Sequence, residues 1–119
     1  MVVDELDKLR KSSTSCQTIA FADLSTQMIL VTDTLSTLPR EALDKLCKQA
    51  ASLLGANGKV ALGARPSRMA LVANDTSVRL FLRASDEPND VLCCVCTPSV
   101  DLDKFVADAI GCLNRISDG

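Results

Sequence analysis

Three short apolar runs follow one another toward the C-terminal end: Met69-Ala70-Leu71-Val72-Ala73, Val78-Arg79-Leu80-Phe81-Leu82 and Val91-Leu92-Cys93-Cys94-Val95-Cys96. Each is of strand length and is bounded by turn-forming residues. Asn74-Asp75 separates the first two, Ser85 to Asp90 the second and third, and Thr97-Pro98-Ser99 closes the last. A segment of clear helical period comes next, with Leu102, Phe105, Val106, Ala109, Leu113 and Ile116 on one stripe and Asp101 and Asp103 at its positive end. Three strands and then an amphipathic helix constrain this half of the chain to one small sheet with a helix laid against it.

The alternation of side chains orders that sheet. The third run is apolar on both faces, which places it at the centre with cover on both sides. The middle run sets Val78, Leu80 and Leu82 on one face and Arg79, Phe81 and Arg83 on the other, so the second of these faces is expected to stay partly open. The first run is apolar on both faces although it is an expected edge, which anticipates a second chain beside it. Asn74-Asp75 is read as a tight turn whose two residues tolerate positive φ.

Upstream, Val2, Leu6 and Leu9 mark a short helix that ends at Ser12-Ser13-Thr14-Ser15. Thr18–Ala22 and Gln27–Thr32 read as a hairpin joined through Asp23-Leu24-Ser25-Thr26. Pro39 suits the first position of a helix whose stripe is Leu43, Leu46, Cys47, Ala50, Leu53 and Leu54. Gly55 and Gly58 end it, Val60-Ala61-Leu62 reads equally as helix or strand, and Gly63 and Pro66 close that stretch. The expected fold is α+β: a three-layer α/β/α arrangement on a five-stranded antiparallel sheet, in the order α-β-β-α-β-β-β-α. With 119 residues and no linker or repeat, the chain reads as a single domain over residues 1–119.

Composition bears on function mainly by exclusion. There is no histidine, so the commonest general base near neutral pH and the commonest transition-metal ligand are missing, and serine–histidine and cysteine–histidine catalysis are excluded within one chain. A net charge of −2 and aromatics of only 3% give neither a basic footprint nor stacking platforms, which argues against nucleic-acid binding. No apolar stretch approaches the ~18 residues of a membrane span, and Met1 to Lys8 has no signal-type apolar run. The chain is read as cytoplasmic, without membrane insertion, and the Asn74-Asp75-Thr76 sequon as without consequence there.

The six cysteines are the loudest chemical signal. Cys93 and Cys96 have the C-x-x-C spacing, but in a strand an offset of three residues sends the thiols to opposite faces. Cys94 and Cys96 share a face about 7 Å apart by the usual strand rise, too far for a bridge. Reduced, buried packing thiols are expected, with no metal and no cofactor. Gly55-Ala56-Asn57-Gly58-Lys59 lacks the spacing and hydroxyl of a phosphate loop, and Asp101 and Asp103 lack the rest of a calcium loop. Arg65, Arg68, Arg79 and Arg83 fall within nineteen residues, giving either a charge-protected sheet face or a docking face for an acidic or phosphorylated partner.

The order and lengths of the elements, with the hairpin Phe21-Ala22-Asp23-Leu24-Ser25 to Ile29-Leu30-Val31-Thr32-Asp33, make the chain resemble the roadblock/dynein light chain family, a branch of the profilin-like and longin-like architectures. The likeness runs from Val3 to Ile116; family members more often have glycine in the hairpin turn where this chain has Leu24-Ser25. It implies a non-enzymatic dimeric adaptor or regulator that scaffolds or modulates a small GTPase or related signalling assembly. It also implies pairing of third strands and packing of second helices, with itself as a homodimer or with a paralogue. On this chain that interface would hold Leu43, Leu46, Cys47, Ala50, Arg68, Met69, Ala70, Leu71 and Val72, with Arg65, Arg79, Phe81 and Arg83 as a partner-docking set. Two other readings stand beside it. One is a profilin-like or PAS-like small-molecule sensor with a pocket near Phe81, and the other a thiol enzyme using Cys93 or Cys96.

Overall fold

The structure is a computed structural model that describes residues 2–34, 39–54, 69–84, 87 and 89–118. These residues form α1 (Val2–Ser12), β1 (Cys16–Asp23), β2 (Met28–Thr34), α2 (Arg40–Leu54), β3 (Met69–Ala73), β4 (Val78–Arg83), β5 (Asp90–Cys96) and α3 (Leu102–Asp118). The strands make one antiparallel sheet in the order β2-β1-β5-β4-β3. The order of elements is the one expected from the sequence. Gly55 to Arg68, including Val60-Ala61-Leu62, the Gly-rich stretch, Arg65 and Arg68, lies outside the described residues.

Two apolar cores sit on the two faces of the sheet. On one, α1 and α3 cover Ile19, Phe21, Leu80, Leu82, Leu92, Cys94 and Cys96 with Leu6, Leu9, Phe105, Ala109, Cys112 and Leu113. On the other, α2 covers Ala20, Ala22, Phe81, Val91 and Cys93 with Leu46, Cys47, Ala50, Ala51 and Leu54. β5 lies at the centre with both faces buried, as its double apolar pattern requires. Helices α1 and α3 are tied together by polar contacts as well. Arg115 Nε donates to Glu5 Oε2 at 2.8 Å, and the Cys112 thiol to the Glu5 carbonyl at 3.5 Å.

Local chemistry sets the helix starts. The Pro39 carbonyl accepts from the Ala42 and Leu43 N–H groups at 3.0 and 3.3 Å, so Pro39 stands one residue before α2 rather than inside it. Asp101 caps α3: its carbonyl accepts from Phe105 N–H at 2.9 Å and its side chain from Lys104 N–H at 3.4 Å.

Two local expectations give way. The β3–β4 turn does not rest on positive φ, since among the described non-glycine residues only Gln27, at φ 53°, has it. Instead the Asn74 side-chain oxygen accepts from Thr76 N–H (2.8 Å), Thr76 Oγ (2.9 Å) and Ser77 N–H (2.9 Å), while Asn74 N–H donates to the Ser77 carbonyl at 2.9 Å. The β4 face bearing Arg79, Phe81 and Arg83 is not open either. The small residues Cys47, Ala50 and Ala51 face it from α2, and Phe81 is 0% exposed beneath them.

Candidate interaction site

The two edges of the sheet are unlike. β2 has its register shifted where Phe21 faces Val31 and Ala22 faces Ile29, which leaves Leu30 as an extra, bulged residue. Its far end bears Asp33, ion-paired with Arg10 of α1 at 3.1 Å. A bulge and an inward-tied charge are both devices that blunt an edge. β3 has neither. Its five residues are uncharged, pair with β4 from Met69↔Leu82 to Ala73↔Val78 without a shift, and have no partner strand on the other edge among the described residues.

The side chains of β3 add to this. Ala70 and Val72 turn toward α2 and pack against its core. Met69 and Leu71 turn to the other face and are 51% and 48% exposed. Beside Met69, α3 contributes Val106, Ile110 and Leu113 to a shallow cleft of about 240 Å³ that also touches Leu82 and Arg83. Ile110 is itself exposed, so strand edge and helix flank present one continuous apolar strip.

The residues singled out from the sequence fall into three groups. Met69, Ala70, Leu71 and Val72 form the edge just described. Leu46, Cys47 and Ala50 are buried against the chain's own sheet and present no surface to a second chain. Leu43 is half-buried beside β2, in a cleft with Ile29, Leu30, Val31 and Asp44. The outward side of α2 carries Arg40, Glu41, Asp44, Lys45 and Lys48, a face of mixed charge.

Of the arginine set, Arg79 is half-buried and donates from Nη1 to Gln49 Oε1 of α2 at 2.9 Å. Arg83 is buried, and removal from water lowers its pKa. Phe81 lies in the core between them, so the described members do not form one exposed patch. What separates them is the cover by α2, which strand alternation alone does not reveal.

All six cysteines are free and buried. Cys93 faces α2, and Cys94 and Cys96 face α1 and α3, as period-two alternation requires. Burial pushes the thiols of Cys47, Cys93 and Cys94 up, and that of Cys112 up to about 11. Such thiols stay protonated and inert near neutral pH. Among the described residues no group of three or more histidine, cysteine or carboxylate side chains is placed to hold a metal ion, and no helix is long and apolar enough to cross a membrane.

No family model matches the sequence, and no curated protein matches it. Its likeness lies in three dimensions. A roadblock/LC7 domain from Streptomyces avermitilis superposes with a TM-score of 0.80 at 9% identity, over 98% of this chain and 94% of that one. The gliding protein MglB from Thermus thermophilus follows at 0.75 and 18%, over 98% and 88%. A profilin solved in complex with rabbit actin gives 0.64 and 15%, over 98% and 94%. The likeness runs over nearly the whole of both chains, and the chain has the roadblock/LC7 fold.

Proposed function

We propose that the protein is a cytoplasmic, non-enzymatic adaptor that works as a dimer and regulates or scaffolds a small GTPase or a related signalling assembly. The observation that carries the reading is the β3 edge, which no described residue pairs or blunts. Met69 and Leu71 stand about half exposed on a regular, uncharged edge strand, while the opposite edge is blunted. Pairing β3 with a second β3, in a homodimer or with a paralogue, satisfies the open backbone groups and covers apolar surface in one step. Ala70 and Val72 follow the strand into that interface. Arg68 adjoins it in sequence, and Leu43 and Leu53 are the leucines of α2 with surface left to contribute. The likeness to MglB and to roadblock domains supports the small GTPase as partner class, and Arg79 of β4, half-buried beside Gln49 of α2, is the described member of the arginine docking set with surface left to meet it, with Arg65 as its outlying companion in sequence.

Sedimentation velocity at micromolar concentration tests the assembly, with a dimer expected; a monomer there overturns the reading. For the partner, a small GTPase encoded beside this chain, loaded in turn with GDP and with a non-hydrolysable GTP analogue, is expected to bind with a preference for one nucleotide state. Neutralising Arg79 is expected to weaken that binding several-fold without changing the dimer.

A further inference from the structure

Cys16 is the first residue of β1 and Cys96 the last of β5, and the two are direct partners in the ladder. The Thr97 N–H donates to the Ser15 carbonyl at 2.8 Å. That bond, joining the residue after one cysteine to the residue before the other, marks Cys16–Cys96 as a non-hydrogen-bonded pair, in which Cα atoms approach to about 4.5 Å and side chains lie closest. This is inside the range a disulfide spans. Both side chains turn to the α1/α3 face and are buried there together. Cys93 and Cys94, by contrast, are neighbours on opposite faces, and Cys94 and Cys96 stand two residues apart along one strand.

The pair is also the part of the central ladder best placed to open. The register shifts between Cys16 and Thr18, so Gln17 bulges out and separates the pair from the continuous pairing that begins at Thr18↔Val95. Short turns flank it on both sides: Cys16 N–H donates to the Ser13 carbonyl at 3.1 Å, and Val100 N–H to the Thr97 carbonyl at 3.1 Å. A polar cleft of about 320 Å³, lined by Ser13, Ser15, Ser99 and Phe105 among others, lies against these turns. Terminal pairs beyond a bulge open at lower free energy than the ladder behind them.

We propose that Cys16 and Cys96 are a redox modification site, a dithiol that low-molecular-weight disulfides oxidise to a cross-strand disulfide joining β1 to β5. The Cys96 thiol releases its proton to solvent, and its thiolate attacks one sulfur of the small disulfide. The S–S bond of the small disulfide breaks, and one small thiolate leaves and takes up a proton. Cys16 then loses its proton and attacks the Cys96 sulfur of the mixed disulfide, which expels the second small thiol. Two protein thiols are oxidised by two electrons, and one small disulfide is reduced to two thiols. The Cys16 thiol donates to the Thr18 carbonyl at 3.8 Å, which holds its proton and leaves the first attack to Cys96.

The test uses the full reduced chain and oxidised glutathione as the probe. After incubation the protein is alkylated under denaturing conditions and mapped without reduction. The expected product has lost two hydrogens, carries one Cys16–Cys96 linkage with the other four cysteines alkylated, and reverts with dithiothreitol. Because the bond closes a long loop, its melting temperature is expected to rise by on the order of 10 °C. Cys16→Ala is expected to stop at a glutathione adduct on Cys96, and Cys96→Ala to leave Cys16 largely unmodified. Six alkylated cysteines after incubation, a linkage between any other two, or a wild-type product that stops at the adduct would each overturn the proposal; the wild-type map decides it alone if neither variant folds.

Discussion

At Asn74 a single side-chain oxygen accepts three hydrogen bonds and closes the β3–β4 turn. Asn74→Ala leaves those donors to water and loosens the register of the edge strand; a loss of about 1–2 kcal/mol in urea unfolding is expected. Gln27 carries the reverse situation, a long side chain at φ 53° in the β1–β2 turn. Glycine suits that conformation, whereas a β-branched residue does not. Gln27→Val is expected to lower stability by about 1–2 kcal/mol, with Gln27→Gly neutral or slightly stabilising, both read from the same unfolding curves. Phe81 separates core from surface most sharply. Fully enclosed under α2, it is expected to cost about 3–5 kcal/mol on truncation to alanine, a large share of the stability of a chain this size. If Phe81→Ala left the melting curve unchanged, the closed α2 face would be wrong.

At the scale of elements, β3 is the edge strand that the proposed dimer uses. Leu71→Lys puts a charge at the middle of its exposed face without touching either core. Edge lysines oppose strand pairing, so the variant is expected to sediment as a monomer while its own melting transition, measured at low concentration, shifts by less than about 0.5 kcal/mol. A dimer that survives Leu71→Lys would move the interface away from this edge. The elements themselves were legible because their periods were. The stripe on α3 is buried at Phe105, Ala109 and Leu113 as read, and β5 is central because no polar residue interrupts either of its faces. The α2 stripe was legible as a stripe, but not which sheet face it would cover.

At the scale of the molecule, the thiols and the surface carboxylates set opposite limits on pH. Cys16, Cys47, Cys93, Cys94 and Cys112 all hold their protons more tightly when folded. The unfolded chain therefore binds fewer protons above about pH 8.5, and stability falls as pH rises through that range. Each such thiol adds a loss of up to about 1.4 kcal/mol per pH unit once its unfolded form has ionised, so the unfolding midpoint is expected to drop steeply between about pH 8.5 and 10. At the acid end the sign reverses. Glu5 beside Arg115, Asp7 beside Lys11 and Asp23 beside Ser25 have lowered pKa values, so what they contribute is present above the ordinary carboxylate range and lost as pH falls through it. These groups are solvent-accessible, and that limb is expected to be shallow and salt-sensitive.

The sequence by itself determined the kinds and order of the elements, the centrality of β5, the separation of Cys93 from Cys96 and the absence of a histidine-based site, because each follows from local period or from composition. The tertiary structure alone decided what lies across from what. It brought Cys16 beside Cys96 from opposite ends of the chain, closed the Phe81 face with α2, and drew Leu46, Cys47 and Ala50 inward. It also blunted the β2 edge and left β3, among the described residues, without an outer partner. Such pairings depend on strand register and helix placement, which are set by long-range packing, and no window along the chain contains both partners.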